Sequence, residues 1–246
     1  MTQNLGAGLD EVISRCRPRL RTDEEIAQEF ARRAALDEAH RRERFVLDLK
    51  HDLGARYYPE RASFDCFRAD HSAQKRVLKQ LQEIDIKILV EEGAGIILFG
   101  PVGTGKDHLQ AAMLYKAARE GFSGKWINGQ DWYGSLRDRI KDDRAEAELL
   151  ASLTKPDILA ISDPLPAKRE LSGWNAEMLY CLVDRRYRNL KSTWITINAT
   201  DEMDADQRLT SPVFDRLRDN AHIIRCFWDS FRGRGRATTG AKAVTP

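Results

Sequence analysis

The chain has 246 residues, of which 42% are hydrophobic and 32% charged, and its formal net charge is +2. That length holds one sizeable α/β domain plus a small extra piece, and the charge is too small to argue for nucleic acid by itself. No apolar run reaches the length of a membrane span and the N-terminus carries no signal-peptide core, so no membrane partner is expected and the cytoplasm is the expected compartment.

Residues 1–21 read as loose, with Gly6, Gly8, Pro18 and the arginines Arg15, Arg17, Arg19 and Arg21. Thr22, Asp23, Glu24 and Glu25 form a capping-box signature. It opens a charged helix that runs to about Leu53 and stops at Gly54. Ile26 and Phe30 share a face, as do Phe45, Leu49 and Leu53, while the middle is almost wholly polar or alanine. Such a helix is either a solvated spacer or a docking helix for another protein. Tyr57, Tyr58 and Pro59 mark a boundary. Phe64 and Phe67 then lead into a helix over Gln74–Val90. These aromatics either pack beneath the first helix or flank a base.

The apolar run Ile96–Phe99 reads as a strand that launches Gly100, Pro101, Val102, Gly103, Thr104, Gly105 and Lys106. A helical pattern of Leu109, Met113, Leu114, Ala117 and Ala118 follows. Strand, glycine-rich loop and helix start form a P-loop, in which main-chain N–H groups wrap a phosphate chain and the lysine reaches its outer end. The next position normally carries Ser or Thr, whose hydroxyl helps hold Mg²⁺; here it is Asp107, followed by His108.

Downstream, the chain alternates short strands with helices. Strands are predicted at Lys125–Asn128, Ile158–Ser162, Thr193–Asn198 and Ile223–Phe227, with helices near 131–141, 174–189 and 212–220. A charged stretch covers the residues to about Ala151. The alternation implies a parallel sheet with helices on both faces, whose ligands sit at the carboxyl ends of the strands. The strand that should end in an acidic Mg²⁺ partner ends instead in Ser162, then Asp163. Hydroxyl and carboxylate have traded places, so Asp107 and Ser162, with Asp163, are the candidate metal group. A carboxylate about 6 Å from a phosphate charge costs roughly 3 kcal/mol at an effective dielectric near 20. Asp107 is therefore tolerable beside a triphosphate only with a cation between them, and a protein that binds nucleotide without hydrolysing it is the alternative. Cys16, Cys66, Cys181 and Cys226 show neither a C-x-x-C pair nor a disulfide pattern. The tail from Gly233 to Pro246 reads as disordered.

Over about residues 60–232 these segments resemble the AAA+ ATPases of the DnaC helicase-loader type and their IstB-like transposition relatives. The resemblance is carried by Gly103-Thr104-Gly105-Lys106-Asp107-His108-Leu109, by Val183-Asp184-Arg185-Arg186-Tyr187 and by Val213-Phe214-Asp215-Arg216-Leu217-Arg218. The ending Phe227-Trp228-Asp229-Ser230-Phe231-Arg232 adds to it. The resemblance implies a charged N-terminal partner-binding region over residues 1–57, an AAA+ ATPase domain over 58–232 without a substantial C-terminal lid, and a basic tail over 233–246.

It also implies roles. ATP and Mg²⁺ are the cofactors, and Lys106 holds the β- and γ-phosphates. Asp163 orients the attacking water and Asn198 acts as the sensor beside it. Arg216 resembles an arginine finger acting on a neighbouring subunit's ATP, hence self-association through the ATP site and a weak ATPase in isolation; its plain alternative is a surface ion pair. Arg232 resembles the second sensor arginine. Partners would be a replicative helicase, or a transposase in the IstB-like case, and single-stranded DNA. Trp132, Tyr133, Arg137, Lys168 and Arg169 are the candidate DNA contacts, set against a solvated helix with Trp132 in the core.

Overall fold

A computed structural model describes residues 22–139, 143–166 and 170–232. The expectations for residues 1–21, for Lys168 and Arg169 and for 233–246 lie outside the described residues. The chain divides into two compact units, residues 1–40 and 41–246. In the first, the described residues form the start of helix α1 (Asp23–Leu53) and are exposed throughout. Its first turn is closed by the predicted capping box. Glu25 N–H donates to Thr22 Oγ1 at 3.2 Å, and Thr22 N–H donates to Glu25 Oε2 at 3.0 Å.

The second unit begins with the last turns of α1, where Leu49 and Leu53 are buried and Phe45 packs against the same core. One helix was expected over Gln74–Val90; two form, α2 (Ser72–Glu83) and α3 (Ile86–Glu91). The break lies at Asp85, whose carboxylate accepts from Lys87 and Ile88 N–H and so caps a new helix. Then come β1 (Ile96–Phe99), α4 (Lys106–Arg119), β2 (Gly124–Asn128), α5 (Gly129–Arg139), α6 (Asp143–Thr154), β3 (Ile158–Ser162), α7 (Gly173–Arg188), β4 (Ser192–Ile197), α8 (Glu202–Leu209), α9 (Ser211–Arg218) and β5 (His222–Arg225). Helix α6 replaces the expected charged stretch because Leu150 and Leu153 give it a buried face. Helix α8 was not expected; it is started by Asp201 accepting from Asp204 N–H at 2.8 Å.

The five strands form one parallel sheet in the order β2-β3-β4-β1-β5. Strands β1, β3 and β4 are buried along their whole length, as central strands covered on both faces are, although β3 ends in Ser162 and β4 carries Ser192, Thr193 and Thr196. One core lies between the sheet and α1, α2 and α4, around Leu49, Leu81, Leu109 and Trp194. The other lies beneath the helices on the opposite face, around Tyr133, Leu179, Leu182 and Val213.

A buried arginine fixes the amino ends of β3 and β4. The Arg186 guanidinium donates to the carbonyls of Leu153, Pro156, Asp157 and Ser192, and its Nε donates to Thr193 Oγ1. Burial pulls it down to about 9, against the nearby Asp157. In register, Phe99 pairs with Ile197 and Ser162 with Thr196, which brings the ends of β1, β3 and β4 to a single edge of the sheet.

Candidate functional site

The site is built at that edge. Strand β1 delivers the loop, and α4 starts at Lys106, so the loop's N–H groups and the positive helix end face the same space. Thr104 Oγ1 donates to Pro101 O at 3.1 Å and closes the loop. Lys106 Nζ donates to Gly100 O, Pro101 O and Asn198 Oδ1, each at 2.8 Å. Burial lowers the lysine's pKa, against the raising fields of Asp163, Cys226 and Asp107.

The C-terminal segment after β5 runs behind the loop as a strap. Cys226 N–H donates to Phe99 O, Trp228 Nε1 to Thr104 O and Phe231 N–H to Gly103 O, at 2.8 to 2.9 Å. Gly103 has φ 84°, and a Cβ there would collide with Ser230 Oγ. This glycine is thus demanded by the strap as well as by the turn. Phe67 packs edge-on to His108, Trp228 and Phe231.

The carboxylate and hydroxyl that traded places do meet. Asp107 Oδ1 accepts from Ser162 Oγ at 2.8 Å and from Thr196 Oγ1 at 3.0 Å. Its other oxygen, Oδ2, faces the Tyr57 hydroxyl at 3.5 Å, the outer limit of a hydrogen bond. Asp163 follows in a left-handed backbone conformation, φ 45°. Its N–H donates to Thr196 Oγ1, and its Oδ1 accepts from Asn198 Nδ2. Lys106, Asn198 and Asp163 therefore form one hydrogen-bonded chain. Burial and then the charge of Asp107 raise the Asp163 carboxyl to about 6, against Lys106 and Arg232.

These groups open into a cavity of about 660 Å³, lined by Lys106, Asp107, His108, Asp163, Asn198 and Arg232 among others. That volume suits a nucleotide-sized ligand. Its far wall comes from the connector between α1 and α2. Arg56, Tyr57, Arg61 and Arg68 were not foreseen as part of a site. Phe67, one of the two aromatics expected either to pack beneath the first helix or to flank a base, lines the cavity and also packs in the core. The recurrence of arginines between two aromatic markers was the available signal. Thr196 and Arg208 were also missed. Arg208 donates to Asn198 O and Pro166 O, both at 2.7 Å, and so fixes the backbone that presents Asn198.

Other candidates fall elsewhere. Arg216 is not in the cavity. It pairs with Asp184 at 3.1 Å, donates to Tyr180 Oη and lies over the Tyr180 ring. Trp132 and Tyr133 were candidate stacking platforms for DNA; both are buried in the second core, so their faces cannot meet a base. Arg137 is exposed, over the Trp174 ring. Cys66, Cys181 and Cys226 are free thiols.

A family model described as IstB-like ATP binding protein matches residues 26–239. The chain belongs to that family. Among its relatives is the replicative helicase loader DnaC of Escherichia coli, 28% identical over 229 residues, covering 89% of this chain and 90% of the relative. Another is the insertion sequence IS232 putative ATP-binding protein of Bacillus thuringiensis, 30% identical over 183 residues, covering 71% of this chain and 70% of the relative. The crystal structure of the DnaC helicase loader superimposes with a TM-score of 0.60 at 23% identity, over 70% of this chain and 99% of that one. The sheet and the loop are those of an ATP-binding AAA+ protein of the IstB-like family.

Whether the residues suit Mg²⁺ follows from the donor set. Among the described residues no three His, Cys, Asp or Glu side chains gather as a self-sufficient metal site. Asp107 and Asp163 instead present hard oxygens beside the P-loop, the donors Mg²⁺ takes alongside substrate phosphates. The residues fit. Among the described residues, no helix is long and apolar enough to cross a membrane.

Proposed function

We propose that this IstB-like protein binds ATP with Mg²⁺ at the P-loop and acts as a loader of a hexameric replicative helicase onto single-stranded DNA. The supporting observation is the extent of the similarity to the DnaC loader, which runs over 89% of this chain and includes most of the N-terminal helical region. In this reading residues 1–57 receive the helicase and residues 58–232 form the ATPase.

Within the site each side chain has one task. Lys106 neutralises the outer phosphates. Asp107 and Ser162 together would hold Mg²⁺ through a carboxylate and a hydroxyl, and the ion would supply positive charge beside the phosphates. Asp163 and Asn198 orient the attacking water, and Arg232 meets the phosphates from the strap. Arg216 acts on ATP bound by a neighbouring copy, so the isolated chain turns over slowly; an arginine supplied in trans is worth about 10³- to 10⁵-fold in rate. Of the expected DNA contacts, Arg137, Lys168 and Arg169 remain candidates.

A second reading is favoured by the family match and the insertion-sequence relative: an ATPase that assists a transposase. A third, an ATP-switched adaptor with little turnover, is motivated by Ser162 standing where a carboxylate is usual. Mixing the protein with the host's replicative helicase, single-stranded DNA and a non-hydrolysed ATP analogue should give an ATP-dependent complex by light scattering. A complex with a transposase alone would replace the first reading with the second. Phosphate release no faster than that of Lys106→Ala, with all partners present, would leave the adaptor.

A further inference from the structure

Two groups at the cavity wall have no place in the chemistry above, Arg56 and Tyr57, and the second of them faces the outer oxygen of Asp107. Asp107 Oδ1 accepts from two hydroxyls, Ser162 and Thr196, which engages both of its lone pairs. Oδ2 is therefore the oxygen left for a metal ion, and it is also the one that faces the Tyr57 hydroxyl. Arg56, next in the chain, is exposed and lines the same cavity. Its guanidinium donates to no other described residue, so it is free to take an anion there.

Both residues sit in a 3-10 turn, Ala55–Tyr57, tied straight to the end of α1. Gly54 N–H donates to Lys50 O, and Tyr57 N–H to Gly54 O. Gly54 has φ 72°, a pivot that other residues adopt at a cost. Immediately before it, Leu49 and Leu53 anchor α1 in the core.

We propose that Arg56 and Tyr57 form a sensor in cis for the metal-bound γ-phosphate, by which the connector after α1 tells ATP from ADP. The inference rests on the P-loop reading. A ligand on Oδ2 competes with the Tyr57 hydroxyl, and a γ-phosphate beside it offers Arg56 a charge-assisted partner that ADP lacks. The connector then changes position with the nucleotide, and the last turns of α1 register the change. The helix assigned above to the helicase thereby receives the state of the site without help from a neighbouring subunit.

The test uses the full chain, Mg²⁺, ADP and a non-hydrolysed ATP analogue, with affinities from calorimetry and hydrogen exchange followed over residues 45–57. Arg56→Ala should weaken the analogue about tenfold, the scale of one hydrogen bond between charged groups, while ADP changes less than about twofold; Arg56→Lys should recover most of the loss. In the wild type, exchange over 45–57 should differ between the two nucleotides. In Tyr57→Phe that difference should disappear while both nucleotides still bind. Equal losses for the two nucleotides in Arg56→Ala, no loss for either, or identical wild-type exchange with both would overturn the sensor. If the wild type bound neither nucleotide, the P-loop reading itself would fail and take the sensor with it.

Discussion

The two walls of the cavity are made in opposite ways. The wall at the strand ends is a closed lattice in which Lys106, Asn198, Asp163, Thr196, Ser162 and Asp107 are linked by successive hydrogen bonds. The connector wall carries Arg56, Arg61 and Arg68, all exposed, on a segment held by turns. A lattice fixes positions and so suits a reaction whose geometry never varies. A sparsely bonded wall suits reading, because its side chains can be recruited or released by what enters.

The contrast can be broken most severely at the lattice. Lys106→Ala should lower ATP affinity at least about a hundredfold by calorimetry, because a buried cation aimed at the phosphates has no substitute. Unfolding by denaturant should be most sensitive at the opposite, amino ends of β3 and β4. Arg186→Met should cost about 3 kcal/mol, since four carbonyls and a hydroxyl lose their donor at once.

The exchanged pair comes next. Asp107→Thr should raise the Mg²⁺ concentration needed for ATP binding roughly tenfold, and Asp107→Thr with Ser162→Asp should restore it, because the carboxylate and hydroxyl would only have swapped owners. A double variant no better than the single one would show that the pair does not act as a unit.

A smaller effect is expected at Asp157, on the other edge of the sheet. Burial pushes its carboxyl up, but the hydroxyl of Ser123 and the ammonium of Lys191 outweigh this and hold it below the ordinary value. A lowered carboxyl stabilises the fold above its unfolded pKa, and that contribution is lost as pH falls through the folded value. Asp157→Asn should therefore cost about 1 kcal/mol near neutral pH, with the difference from wild type shrinking below about pH 4. The least effect belongs to the reading wall: Arg61→Ala should change thermal stability within about 0.5 kcal/mol.

The lattice was the more legible wall in the sequence, and the reason is local. The loop, Ser162, Asp163 and Asn198 all follow apolar runs, so the tendency of ligands to sit at strand ends gathers them from chain order alone. Thr196 was invisible because a threonine inside a strand reads as an ordinary β-former; only the register against Ser162 turns its hydroxyl to Asp107. The connector arginines left only their recurrence as a signal, because nothing in their spacing says which side of a turn faces a cavity. For Trp132 the sequence left a place in the core open beside a DNA contact, and the core is where it lies; the helix turns it inward with Tyr133 and Leu136. The break at Asp85 was legible as an Asp before a helix, but the apolar periodicity running through it masked the cap.

The strap also bears on synthesis. Residues 100–106 leave the ribosome long before residues 226–231, yet the later ones supply the amide and indole donors that brace the earlier ones. Until translation has passed residue 231, the phosphate-gripping turn lacks its backing. The loop and its backing are thus joined only once the chain has been made through residue 231.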